Sequence, residues 1–299
     1  MIKLYYDVGE LGWTMVLSAH LNFLRERNGN GYMACTYPER ECLYSGSNIE
    51  LIKMPEELRV RYMQLDQDGT HLYNHNTQSR VWHDILTSDF KTLFTPNIKI
   101  ADPEDYDYSE ITKIKPFRYQ PSNFAKTIIN VRFRDEKIIL VFPRKRLGKF
   151  GARNLSYEFY VKLCVNLCRA FKDHRVMSFG SRKGAYELNS SVSCTNFTDM
   201  VRESDFNKLD MLLALCDSGN VSFVVGSQSA PPKIALVMGI PAFMIGHEKH
   251  RHMVLDNWMN TKVNFFEPIS FSGGFYQITE DMVNNCLTNI VNFGRGLNG

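Results

Sequence analysis

No apolar run in this chain approaches the ~20 residues that a membrane-spanning helix needs. The opening residues, MIKLYYDVGE, hold a short apolar stretch cut by Asp7 and Glu10. That pattern predicts a strand rather than a secretory leader. The seven cysteines are an odd number and include no C-x-x-C pair, so a disulfide framework is not expected. Cys164 and Cys168 lie four residues apart, share one helix face and read as small buried hydrophobes, which suits a reducing, cytoplasmic compartment. Asn196-Phe197-Thr198 matches a glycan acceptor, but it carries nothing without a secretory leader. Charge of one sign is also scarce. The net value of +3 points to no nucleic-acid or membrane partner by itself and opposes no anionic one.

What is present is an alternation of strand and helix patterns over 299 residues, enough for one large domain or two ordinary ones. Ile2 to Val8 reads as a strand. Thr14 is a plausible cap for a helix carrying Val16, Leu17, Leu21 and Leu24, which Asn28-Gly29 ends. Gly31 to Thr36 follows as a second strand, so the sheet is expected to be parallel. Residues 38–115 have few clean periodicities. Short helices are expected near 55–63 and 81–87, a closing strand at 98–102 and a linker over 102–120.

A second alternation begins at the buried-strand pattern Lys137 to Pro143. Ser156 caps the next helix, with Phe159, Leu163 and Leu167 on its apolar face. Strands at 174–179, 221–225 and 241–245 alternate with helices at 206–216 and 231–239. Gln277 to Phe293 supplies a final helix. The expected architecture is α/β, with two Rossmann-like domains facing a central cleft. Residues 1–120 form the acceptor-side domain and 121–276 a nucleotide-binding domain. Residues 277–299 form a C-terminal helix that is a candidate to cross back to the first.

Four places could carry chemistry. The strand ending in Gly226-Ser227-Gln228-Ser229 runs straight into a helix with proline in its first turn. Ligands of open α/β sheets sit at the carboxyl ends of strands, and a helix N-terminus suits phosphate. The same arrangement also serves as an ordinary capped helix. A basic loop, Arg144-Lys145-Arg146 with Arg153, follows another strand and could neutralise a diphosphate through planar guanidinium forks. Its alternatives are a solvated basic loop or, with Lys149 and Phe150, a nucleic-acid patch. Gly9-Glu10-Leu11-Gly12 joins the first strand and helix. It is not a G-x-G-x-x-G fingerprint, but its carboxylate could deprotonate a hydroxyl, with Asp7 as second choice; a surface or capping carboxylate is the plain alternative. His247, Glu248, His250 and His252 are dense, yet their spacing fits no structural zinc pattern. A loop lining a ligand cleft is expected there instead of a metal site.

The second half resembles the donor-binding domain of GT-B glycosyltransferases, in particular the heptosyltransferase-like group. Ile138 to Arg144 with Arg153-Asn154 and a helix is similar to that group's first strand and basic loop. Val176 to Ser181 looks like its second strand. Leu209 to Cys216, Phe223 to Ser229 and Lys233 to Pro241 look like its closing helix, phosphate loop and last strand. The resemblance implies an inverting, metal-independent transfer with no cofactor beyond a nucleotide-sugar co-substrate. It places Glu10, or Asp7, as base. Arg144, Lys145, Arg146, Arg153, Ser227, Gln228, Ser229 and Lys233 fall on the donor diphosphate. Gly180, Ser181, His247 and Glu248 fall on nucleotide or sugar, and Gly9, Gly12 and Trp13 on an acceptor-side loop. Ala230-Pro231 departs from the Gly or Thr usual after the phosphate-loop serine, and residues 39–120 match nothing in the group. The acceptor therefore stays open among a glycan, a lipid-linked sugar and a modified DNA base. An epimerase of the same fold and a non-catalytic binding protein are the competing readings.

Overall fold

The computed structural model describes residues 2–7, 11–57, 87–88, 97–102, 105, 114, 116–146, 153–203, 208–246, 261–270 and 276–297. They form two compact units, Met1–Tyr119 and Gln120–Gly299. The short helices expected near 55–63 and 81–87 lie almost wholly outside the described residues.

In the first unit, β1 (Ile2–Tyr6), α1 (Leu11–Asn28), β2 (Tyr32–Thr36), a 3-10 helix (Pro38–Tyr44), β3 (Glu50–Lys53) and β4 (Ile98–Ile100) follow in order. The four strands are all parallel and lie in the order β3-β2-β1-β4. Leu4, Tyr6, Leu17, Leu21, Met33 and Ile100 share one buried core, as the apolar spacing of β1 and α1 requires. One local expectation fails. Thr14 is not the cap of α1, which starts three residues earlier at Leu11. Its buried hydroxyl instead donates to Asp7 Oδ1 at 3.0 Å.

Asp7 follows β1 directly and is fully buried. Besides Thr14, it accepts from Thr36 Oγ1 at 2.7 Å and Tyr44 OH at 3.2 Å. Arg40 approaches Oδ1 at 3.5 Å, donates to Thr14 Oγ1 at 3.1 Å and lies over the Tyr37 ring. One carboxylate thus ties β1, α1, β2 and the 3-10 helix together. Burial raises its pKa above the usual carboxylate value, against the pull of Arg40 and the three hydroxyls.

In the second unit, α2 (Asn123–Arg132), β5 (Lys137–Phe142), α3 (Tyr157–Ala170), β6 (His174–Ser178), β7 (Phe197–Asp199), α4 (Lys208–Asp217), β8 (Val221–Ser227), α5 (Ala230–Val237), β9 (Ala242–Ile245) and β10 (Val263–Phe266) precede a two-stranded ribbon, β11 (Ile269–Ser270) with β12 (Tyr276–Gln277), and α6 (Glu280–Arg295). The main sheet is parallel throughout, in the order β10-β9-β8-β5-β6-β7. Residues 138–142 are buried without interruption, because helices cover both faces. Ile139, Val141, Phe223 and Val225 face α3 and α6. The alternating Ile138, Leu140 and Val224 are equally buried, and α2, α4 and α5 pack on one another away from that core. Ser156 caps α3 as expected, accepting from Phe159 N at 3.1 Å. Cys164 and Cys168 are buried on the face that α3 turns to the sheet. The C-terminal helix, a candidate to return to the first unit, packs on α3 and β8 through Val283, Cys286, Leu287, Ile290 and Phe293. Its apolar stripe is consumed by the second unit's own core.

Because the folded pKa of Asp7 lies above its unfolded value, proton uptake by Asp7 favours the fold at acid pH, and that contribution is lost as pH rises through the raised value. Denaturant unfolding at several pH values should show Asp7→Asn with a flatter pH dependence than wild type over that interval. Asp7→Ala, which strands Arg40 and three buried hydroxyls, should cost about 3–5 kcal/mol at neutral pH.

Candidate functional site

In the second unit β5 has β6 on one side and β8 on the other, so the chain leaves its carboxyl end toward β6 and later returns to add β8 on the opposite flank. The connections after β5 and β8 therefore run to opposite flanks of the sheet, and such a switch point is the place where open α/β sheets bind ligands. The candidate residues that the structure describes in this unit collect there.

After β5 comes Pro143 and then the basic loop. Arg144 is largely buried and bridges to Ala185. Lys145 takes backbone support from Gly184 O and places its ammonium 5.6 Å from the Tyr186 ring centre. Arg146 is held through its main chain by Asn154, whose amide donates to Arg146 O and accepts from Arg146 N. Arg153 NH1 crosses to Gln228 O at 3.2 Å, joining the basic loop to the loop after β8. Lys145 and Arg153 form no ion pair among the described residues, so both cations remain available to an anion.

After β8 the chain must turn sharply into α5. A Cβ on Gly226 would meet Pro232 Cγ at 2.9 Å and Phe142 Cβ at 3.1 Å, so only glycine lets β8, β5 and the helix start come this close. Ser229 sits at the cap position of α5, but its hydroxyl donates to Ser227 O at 3.1 Å rather than closing the helix end. Gln228 is buried, with its N bonded to Ile245 O and its Oε1 accepting from Tyr276 OH at 3.1 Å. Its side chain braces the loop; its carbonyl faces Arg153. Lys233 lies in the first turn of α5 and is mostly buried.

Two buried hydroxyls complete this edge. Ser227 Oγ has no full hydrogen bond among the described residues, and neither does the neighbouring Tyr160 OH. Burial raises the Tyr160 phenol well above its usual value, with Ser227 and Arg144 pulling weakly the other way. Such orphaned polar atoms cost about 1–3 kcal/mol each unless a ligand or water satisfies them. Tyr160 and Tyr186, which touch each other, were missed from the sequence because they read as core positions of a helix and a loop.

The loop after β6 lies against the basic loop through Tyr186 N to Pro143 O and Lys145 N to Gly184 O. Gly180 admits no side chain, since its Cβ would stand 2.5 Å from Ala185 Cβ. Ser181 is exposed beside it. The whole loop is pinned by two charges, Asp199 buried and Lys208 half-buried. Asp199 accepts from Ser178 Oγ, Leu188 N, Asn189 N and Val201 N. Lys208 donates to the carbonyls of Gly180, Met200 and Val201.

In the first unit Gly12 and Trp13 are not loop residues. Both stand in the first turn of α1, and Trp13 is partly buried against the core. Asp7 is enclosed by the partners given above. Gly9, Glu10, His247 and Glu248 lie outside the described residues, as do His250 and His252. No cluster of three or more metal-ligating side chains occurs among the described residues. No helix among them is long and apolar enough to cross a membrane.

No protein-family model and no curated protein sequence matches this chain. Solved structures do. The ADP-heptose lipopolysaccharide heptosyltransferase II of E. coli superposes with a TM-score of 0.59 at 15% identity, over 99% of this chain and 100% of that one. The glycosyl transferase family 9 structure from Veillonella parvula DSM 2008 gives 0.61 at 11% identity, over 97% of each chain. E. coli heptosyltransferase WaaC with ADP gives 0.55 at 8% identity, over 98% of this chain and 100% of that one. Two parallel sheets, each built outward in both directions from its first strand and dressed with helices, therefore give this chain the GT-B-type α/β fold that the heptosyltransferase structures share.

Proposed function

We propose that this chain is a glycosyltransferase that takes a sugar from a nucleoside-diphosphate sugar and delivers it to a hydroxyl acceptor. The observation that supports this best is the edge between β5 and β8. Fixed cations, a helix start whose cap hydroxyl is turned elsewhere, and two unsatisfied buried hydroxyls meet there around Arg144, Arg153, Ser227 and Tyr160. In glycosyl transfer the departing group is a nucleoside diphosphate, so negative charge grows on it in the transition state. Arg153, Lys145 and Arg144 meet that charge, Ser229 and the backbone N–H groups of Ala230 and Lys233 approach the phosphates (Pro231 and Pro232 have none to offer), and Lys233 adds charge at the helix start. This is a transfer without metal, since the cations do the neutralising. The Gly180-Ser181 loop and residues His247 and Glu248 take the nucleotide or sugar. E. coli heptosyltransferase WaaC, which this chain resembles in fold, is seen with ADP and with ADP-2-deoxy-2-fluoro heptose, which makes an adenosine diphosphate donor the first to test.

The acceptor side belongs to the first unit. Asp7 already holds four donors in a sealed position, so the general base is assigned to Glu10, which takes the proton of the acceptor hydroxyl as that oxygen attacks the anomeric carbon from the face opposite the diphosphate. Configuration inverts in such a direct displacement. A glycan is the favoured acceptor class.

Arg153→Ala should weaken nucleoside-diphosphate binding about 10–100-fold, the worth of a lost charge-assisted contact. Titration calorimetry measures it, and an unchanged Kd removes the basic loop from the site. Glu10→Ala should bind nucleotide as wild type does while transfer falls by about 10²–10⁴-fold. Transfer at the wild-type rate with a donor-acceptor pair would show that another group is the base.

A further inference from the structure

At the amino end of the second unit's sheet, away from the loops just described, three polar side chains stand in a line. Asp173 Oδ1 lies 2.9 Å from His174 Nδ1, and His174 Nε2 lies 3.1 Å from Ser222 Oγ. His174 opens β6 and Ser222 is the second residue of β8, with β5 between those strands. Strict alternation would keep them apart. Val176, Ile139, Val141, Phe223 and Val225 share one buried face, which is also the face of His174, and Ser222 would belong to the other. The β5–β8 ladder shifts at this point: Ile138 pairs with Val221 and Ile139 with Phe223, which leaves Ser222 opposite no residue. A bulge of this kind re-aims a side chain. Here it turns the serine hydroxyl toward the imidazole.

The direction of each proton follows from the chemistry. A carboxylate can only accept, and hydrogen bonds from His174 and Lys137 hold Asp173 below its usual value. Lys137 Nζ occupies Oδ2 at 3.3 Å, which leaves Oδ1 for the ring. Neutral His174 then carries its proton on Nδ1, its Nε2 offers a lone pair, and Ser222 must donate. The imidazole is only 3% exposed and is backed by the Phe171 ring, whereas Ser222 is half-buried. The base is shielded, the serine beside it is only half-buried, and the carboxylate is exposed. A nucleophile in reach of a base, itself oriented by a third group, is the arrangement that activates a serine.

We propose that Ser222 is a nucleophile for acyl transfer, with His174 as its general base and Asp173 as the orienting carboxylate, and that it takes short acyl groups from activated esters or thioesters. An Oγ lone pair attacks the acyl carbonyl carbon while the hydroxyl proton passes to His174 Nε2. The tetrahedral adduct collapses, the bond to the leaving oxygen or sulfur breaks, and that atom takes the proton back from Nε2. The products are acyl-Ser222 and a free alcohol or thiol. Water activated by the same imidazole can then release the acid and restore the serine.

The full chain incubated with p-nitrophenyl acetate should release p-nitrophenol and carry one acetyl group, mapped by peptide mass spectrometry to Ser222. Ser222→Ala should abolish that adduct. His174→Gln and Asp173→Asn should slow its formation on the order of 10²-fold or more. Asp173 is exposed, so Asp173→Asn keeps the fold and decides the matter if His174→Gln fails to give a wild-type melting temperature. Release of p-nitrophenol by wild type no faster than by Ser222→Ala, with no acetyl-Ser222 in acid-quenched samples, or equal rates in wild type and Asp173→Asn, would overturn the proposal.

Discussion

The position of β5 governs the second unit. With its successor on one side and a later strand on the other, this strand makes a switch point in the sheet, the position at which open α/β sheets take their ligands. Everything assigned to donor binding follows from that routing. The basic loop leaves β5 at this point, α5 aims its N-terminus at it, and Gly226 allows the three pieces to approach within van der Waals contact. The Arg153 to Gln228 bond then fixes the spacing of the two loops.

Charge is used in two different ways among the described residues. Asp7, Asp199 and Lys208 are saturated by protein partners and act as internal cross-links between a strand end and the loops around it. Among the described residues Lys145 and Arg153 form no ion pair, and the Ser227 and Tyr160 hydroxyls have no full hydrogen bond. A protein optimised only for stability would pair or replace such groups, because each orphaned buried polar atom is costly. Their meeting at one sheet edge is the reason for proposing a binding site there.

The parts legible in the sequence were those with strong apolar runs or clear caps. β1, β2, β5, β6, β8 and β9 appeared as expected, as did α3 with its Ser156 cap and α5 with proline in its first turn. The short edge strands β3, β7 and β10 were not legible, because three or four residues at a sheet edge are specified by the neighbour they pair with rather than by their own pattern. Helix α2 had a readable signal that was passed over. Ser122 caps it and Ala125 and Ile129 lie on its buried side, just past the linker expected over 102–120 and before the strand pattern at Lys137. Thr14 shows the opposite error, since a residue fit for capping served a buried carboxylate instead. The placement of Arg144 after β5 and of Ser229 between β8 and α5 was legible from the strand patterns. Tyr160 was not, since a helical tyrosine at core spacing looks the same whether or not its hydroxyl borders a ligand.

The central claim is that the edge between β5 and β8 binds the diphosphate of a nucleotide. Thermal unfolding in the presence of ADP, GDP, UDP, CDP and dTDP, with inorganic phosphate as control, tests it most directly, because a ligand of the native state raises its apparent stability. The account predicts a higher melting temperature with at least one nucleoside diphosphate, reduced when Arg144 or Arg153 is replaced by alanine. No shift with any of them at millimolar concentration, or a shift that both variants retain in full, would contradict it.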